Sequence, residues 1–200
     1  GVTRFGREVI KEMNRVGMVI DMSHSAEKST LQAIDLSERP IAITHANPSQ
    51  WHHALRNKSN DVLKALGESK GMLGFSMYPF HLNNNSSCTL DDFCGMILDT
   101  AELMGIDNIG IGSDLCQNWG YDTLEWMRSG TWTFKPDFGE GSSENSDWPE
   151  QPEWFKSSRD FSNISEGLIS KGISYADVEK IMGLNWLNFF DNSFGAIKNG

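Results

Sequence analysis

The sequence predicts an α/β protein in which four parallel strands alternate with helices, the architecture of the C-terminal half of a (β/α)8 barrel. Three observations predict it. Four short apolar runs, GMVIDMS (17–23), PIAITHA (40–46), KGMLGFSMYP (70–79) and NIGIGSDL (108–115), are bounded by Gly, Pro or Asn, as strands buried on both faces are. Helical patterns separate them. At or just past the end of each run stands a residue able to do chemistry: His24, His45, Tyr78 and Asp114 in turn.

In chain order, a helix over 3–15 precedes the first strand, and helices over 26–37 and 59–69 follow the first and second. The pattern is clearest over 90–104, where Phe93, Met96, Ile97, Ala101 and Met104 fall on one helical face, Thr89 is placed to cap the start and Gly105 follows the end. A last helix over 174–190 opens with Ser174 and Asp177 at capping-box spacing. Repeated strand–helix units demand a parallel sheet with helices outside, either open or closed. An open sheet binds ligands where strand order reverses, usually beside a Gly-rich phosphate loop, and no such loop follows any strand here. A barrel draws its chemistry from the C-terminal ends of several strands, which is the pattern seen. Four units make half of such a barrel. Its open edges and apolar inner face are expected to need a complementary partner, and a homodimer is one way to cover them. The 200-residue chain alone is therefore not expected to be a compact active monomer.

Composition narrows the function. A net charge of −10 without a basic stripe excludes a nucleic-acid surface. No apolar run reaches the roughly 18–20 residues of a membrane span, and the first residues lack the apolar core of a secretion signal. Cys88, Cys94 and Cys116 are odd in number and irregularly spaced, which supports neither a disulfide framework nor a CxxC site. Compartment stays open, with reduced thiols in a cytoplasm the favoured setting.

A single histidine at a strand end is most often a hydrogen-bonded core residue or cap. Two at equivalent ends of neighbouring strands lie about 5 Å apart in backbone position, so their imidazoles can share one metal ion. Asp114, at a third strand end, would place a base beside them. His52 and His53 lie in a loop before Arg56, and His81 follows Pro79; these read as solvated or supporting residues.

The segments FGREVIKEMNRVGMVIDMSHSAE, ITHANP, LRNKSNDVLKAL, IGIGSDL and VEKIMGLNWLNFF, in that order, resemble the C-terminal half of the membrane dipeptidase (renal dipeptidase) family of zinc peptidases. The resemblance covers nearly everything but residues 116–159. It implies a metal-dependent-hydrolase barrel with two zinc ions joined by a bridging carboxylate and a hydroxide. His24 and His45 fall on the two histidine ligands of one zinc, Arg56 on the arginine that binds the substrate's carboxylate, Asp114 on the catalytic aspartate and Tyr78 on a pocket residue. The substrate implied is a small peptide-like molecule with an amide bond and a free carboxylate. The family's remaining ligands, a His-x-Asp pair and a bridging glutamate, are expected upstream of Gly1; Glu125 is no substitute, since it follows the last strand rather than ending one.

Two departures bear on specificity. Where the family commonly reads SDFDG, this chain reads SDLCQNWGYD, which alters the loop beside the substrate. Residues 116–159 form an insertion carrying five of the seven tryptophans, too polar for a core segment, which reads either as a wall over the barrel mouth or as aromatic cover for neighbouring helices. Three functions therefore remain: a zinc dipeptidase, an enzyme of the same fold acting on a modified peptide or natural-product intermediate, and a non-catalytic barrel serving as a scaffold.

Overall fold

The computed structural model describes residues 1–117, 120, 122–123, 126 and 149–195; most of the Trp-rich insertion, Glu125 included, lies outside them. Helix α1 (Arg4–Val16) leads to a segment that joins the sheet through one parallel bridge, Asp21 to Ala42. Helix α2 (Glu27–Leu36), strand β1 (Ala42–Ile43), helix α3 (Asn60–Glu68), strand β2 (Met72–Phe75), helix α4 (Leu90–Met104) and strand β3 (Ile109–Ile111) follow. The three strands form one parallel sheet in the order β1-β2-β3, with Ala42 opposite Met72 and Leu73 opposite Ile109. Helix α5 (Phe161–Ser170), helix α6 (Tyr175–Glu179) and helix α7 (Asn185–Ser193) complete the chain, with a π turn at Lys180–Leu184 between the last two.

Side chains alternate across the sheet as strand geometry requires. Ile41, Ile43, Leu73, Phe75 and Ile109 face the helices, where they meet Ala33 of α2, Val62 and Leu66 of α3, Phe93 and Ile97 of α4 and Ile164 of α5. The opposite face carries Ala42 and Met72, covered by Trp186 and Phe189 from α7. Asn185 and Trp186 fasten α7 to the sheet by donating to the carbonyls of Ile109 and Ile111. That attachment accounts for the break in the predicted 174–190 helix: the π turn shifts the register so that both side chains face the strands. Helix α4 matches its sequence pattern to the residue, with the Thr89 side chain accepting from the Asp92 amide and Gly105 at its end. Helix α5 was not among the predicted elements.

Beyond the strands, side chains take some of the backbone donors, while Ala46, Met77 and Gly112 still donate to the neighbouring segments at Gly74, Ser113 and Phe75. The Asp21 carboxylate accepts from the Ser23 and Thr44 amides, Ser23 Oγ from the His45 amide, Asn47 Oδ1 from the Ser76 amide and Ser76 Oγ from the Tyr78 amide. These captures interrupt the regular ladder at the sheet's C-terminal edge. Two glycines permit close approach there: a Cβ at Gly74 or at Gly112 would run into the Thr44 carbonyl oxygen.

Candidate metal-binding site

The two strand-end histidines meet. His24 Nε2 and His45 Nε2 lie 3.1 Å apart, with the rings edge to face at 64°. Two nitrogens held by one tetrahedral zinc at ~2.0–2.1 Å are separated by about 3.3 Å, so the pair fits a shared ion of that kind. Among the described residues no group of three or more His, Cys, Asp or Glu side chains is placed to hold a metal ion.

What orients His45 is a relay running back to Asp21. Thr44 Oγ1 donates to Asp21 Oδ2 at 2.7 Å, which commits its only proton. Its 2.8 Å contact with His45 Nδ1 must then be one in which the imidazole donates. The proton sits on Nδ1, and the Nε2 lone pair points at His24. For both Nε2 atoms to meet one metal ion, His24 would carry its ring proton on Nδ1 as His45 does. Metal-binding histidines commonly donate the second ring N–H to an acceptor that fixes tautomer and ring orientation, and here the Thr44 hydroxyl, held by Asp21, is that acceptor for His45.

The charges agree with neutral imidazoles. Burial is the largest influence on His24 and lowers its pKa, aided by the positive charges of Arg56 and His45 and opposed by Asp114 and Asp21. At His45 burial again leads, and it prevails over the upward pull of Asp114 and Asp21. For Asp21, burial works to raise the carboxyl, but the hydrogen bonds from Ser23 and Thr44 together outweigh it and leave it below its usual value.

A pH dependence follows. Because both histidines titrate lower when folded, the unfolded chain binds more protons just below its histidine pKa of about 6.5. The stability they contribute is fully present above that value and is lost as pH falls through their folded values. Urea unfolding of metal-free protein between pH 7.5 and 5 should show a steeper acid loss for the parent than for the His24→Gln, His45→Gln double variant. Equal slopes would contradict the assignment.

The structure brings the other expected residues around this pair. Half-buried Arg56 donates from Nε to the Ser23 carbonyl at 3.2 Å, next to His24. Asp114 is exposed and adopts φ +54°, an unusual but tolerated backbone for Asp, and its charge acts on both imidazoles. Tyr78 packs its ring against His81, centroids 5.1 Å apart, and the charge of His81 acts on His45. A cleft of 370 Å³ lined by Trp51, Asn60, Asp99 and Leu103 opens elsewhere, between α3 and α4, and includes none of these residues.

Of the two roles expected for His81 it takes the supporting one, buried with Nδ1 2.9 Å from Ser76 Oγ. Other supporting residues were not singled out in the sequence. Asn47 and Asn57, both buried, knit the loop bearing Arg56 to this region: Asn47 donates to the Ser76 and His81 carbonyls, and Asn57 to those of His52 and His81. Lys58, also buried, reaches the turn around His24. The one hint was position: polar residues cluster within three of each strand-end histidine, as in D-M-S-H and T-H.

In this α/β protein a parallel sheet brings two imidazoles, a carboxylate and a guanidinium to one edge, a set of side chains chemically able to share a cation and an anionic group. Residues 1–124 match the model of the membrane dipeptidase family, peptidase family M19, and the chain belongs to that family. Dipeptidase tcpJ of Claviceps purpurea is 28% identical over 186 residues, 92% of this chain and 37% of that protein. Among solved structures, an amidohydrolase from Pseudomonas aeruginosa superposes with a TM-score of 0.87 at 31% identity, covering 97% of this chain and 58% of that one. A metallopeptidase from Rhodobacter sphaeroides, solved with a phosphinate mimic of the dipeptide L-Ala-D-Ala, shares the fold at a TM-score of 0.76 and 20% identity. The chain thus spans 37% and 58% of the first two relatives' lengths. Among the described residues, no helix is long and apolar enough to cross a membrane.

Proposed function

We propose that this chain supplies the C-terminal half of a (β/α)8 barrel that hydrolyses dipeptides, or similar small amides bearing a free carboxylate, with zinc at His24 and His45. The observation that carries the reading is the convergence of the two Nε2 atoms at 3.1 Å, in a chain of the membrane dipeptidase family. The remaining ligands are assigned to the other half of the barrel. Bound zinc supplies hydroxide at neutral pH and polarises the scissile carbonyl.

The chain's own residues do the rest. Arg56 holds the substrate's carboxylate through its planar guanidinium, a two-point grip that a lysine ammonium cannot reproduce. This fixes the amide over the histidine pair, and Tyr78 forms a side wall. The Asp114 carboxylate takes the proton of the attacking hydroxide as the new C–O bond forms, and delivers it to the amine nitrogen as the C–N bond breaks, leaving a carboxylate and a neutral amine. The relay from Asp21 through Thr44 keeps the His45 lone pair aimed at the reaction site throughout.

The test uses the complete gene product. After dialysis against a chelator it should lose hydrolysis of simple dipeptides and regain it with zinc, and dipeptide amides, which lack the carboxylate, should be poor substrates. Hydrolysis indifferent to chelation, or none with zinc restored, would refute the reading.

A further inference from the structure

We infer that Lys58 is a positioning residue for the metal site, a buried ammonium that holds the turn carrying His24. Its Nζ donates to three backbone carbonyls, those of Met22 at 3.2 Å, Ser23 at 2.9 Å and Ser25 at 2.9 Å. These three residues surround His24, and the lysine is only 4% exposed. Lysine is rarely buried this far unless its charge is answered, and here the answer is a cup of carbonyl dipoles. A tetrahedral ammonium can reach three diverging acceptors; a planar guanidinium directs its donors into one plane.

The alternative is that Lys58 merely fills space beneath the turn. Against it stands the coupling that its position creates. The loop from Asn47 is tied back by the parallel bridge between Pro48 and Lys58, and the Ser23 carbonyl accepts from both Arg56 Nε and Lys58 Nζ. One carbonyl therefore joins the residue assigned to the substrate's carboxylate to the turn of a metal ligand. Lys58 fixes the distance between them. Burial, with Arg56 adding to it, pushes its pKa down to about 8, while Asp21 pulls it back up, so the ammonium form holds the turn at neutral pH.

This inference rests on the reading of His24 as a metal ligand, and the experiment separates the two. Cobalt(II) is titrated into the chelator-treated complete protein, with affinity and visible spectrum recorded for the parent, Lys58→Met and Thr100→Val. Thr100 is equally buried and bonded to the Met96 carbonyl in α4, away from the site, so its loss reports a purely structural defect. The parent should bind cobalt; Lys58→Met should bind at least about tenfold more weakly with shifted bands, the effect typical of losing a ligand's support. Thr100→Val should lower the unfolding temperature without moving either. A parent that binds no cobalt overturns both readings; a Lys58→Met variant with parental affinity and spectrum overturns this one alone. Should Lys58→Met fail to fold, nitrogen-15 spectra of the parent decide: a slowly exchanging Lys58 ammonium coupled across hydrogen bonds to the Ser23 and Ser25 carbonyls is expected, and its absence contradicts the inference.

Discussion

His45→Ala should leave the complete protein folded and unable to retain metal in the site shared with His24, with an affinity loss on the order of 100-fold or more. Imidazole removal takes away one of two converging nitrogens and empties the end of the relay, so Thr44 Oγ1 loses a donor and His24 Nε2 a partner. The fold should tolerate this. His45 is only half-buried, its backbone amide keeps its bond to Ser23 Oγ, and the adjoining strand is held by Ile41 and Ile43 against the helices. Metal analysis after gel filtration, with circular dichroism as the check on folding, measures both effects. Parental metal content in His45→Ala would remove the basis for the site.

Asp114→Asn should lower kcat by about 10²–10⁴ while leaving metal content and KM near parental values. The substitution suits the position: Asn keeps the shape of Asp and accepts the same left-handed backbone, so the strand end at φ +54° is not disturbed. What it removes is the ability to take a proton. The loss of negative charge beside His24 and His45 removes an upward pull on both imidazoles, and their coordinating nitrogens are otherwise unchanged. Arg56→Lys provides the contrast, since it should act mainly through KM. An Asp114→Asn enzyme hydrolysing dipeptides at the parental rate would exclude a catalytic role for the carboxylate.

The parts of this molecule that could be read from sequence are those written in local patterns. Helix α4 carries its cap, its apolar face and its stop between Thr89 and Gly105, and it appears as read. The histidine pair was legible for a related reason: two strand ends with the same apolar-to-polar switch must come side by side in a parallel sheet, so register alone predicts the meeting. The supporting residues were not legible because their partners are distant in sequence. Asp21 meets Thr44 twenty-three residues on, and Lys58 meets Ser23 from thirty-five residues away, through backbone atoms that carry no residue identity. The same captures of backbone donors interrupt the strand ends, and the first apolar run joins the sheet through one bridge where a full strand was expected. In the last helix the 3.6-residue pattern ran on through Lys180–Leu184, while the docking of Asn185 and Trp186 on β3 required an extra residue in the turn.

The central claim is that His24 and His45 hold one metal ion between them. A crystal structure of the complete, zinc-loaded protein, with anomalous diffraction recorded at the zinc edge, tests it most directly. The account predicts an anomalous peak about 2.0–2.1 Å from both Nε2 atoms, with His45 Nδ1 still bonded to Thr44 Oγ1. Zinc bound elsewhere, with both Nε2 atoms more than about 4 Å from any common peak, would contradict it.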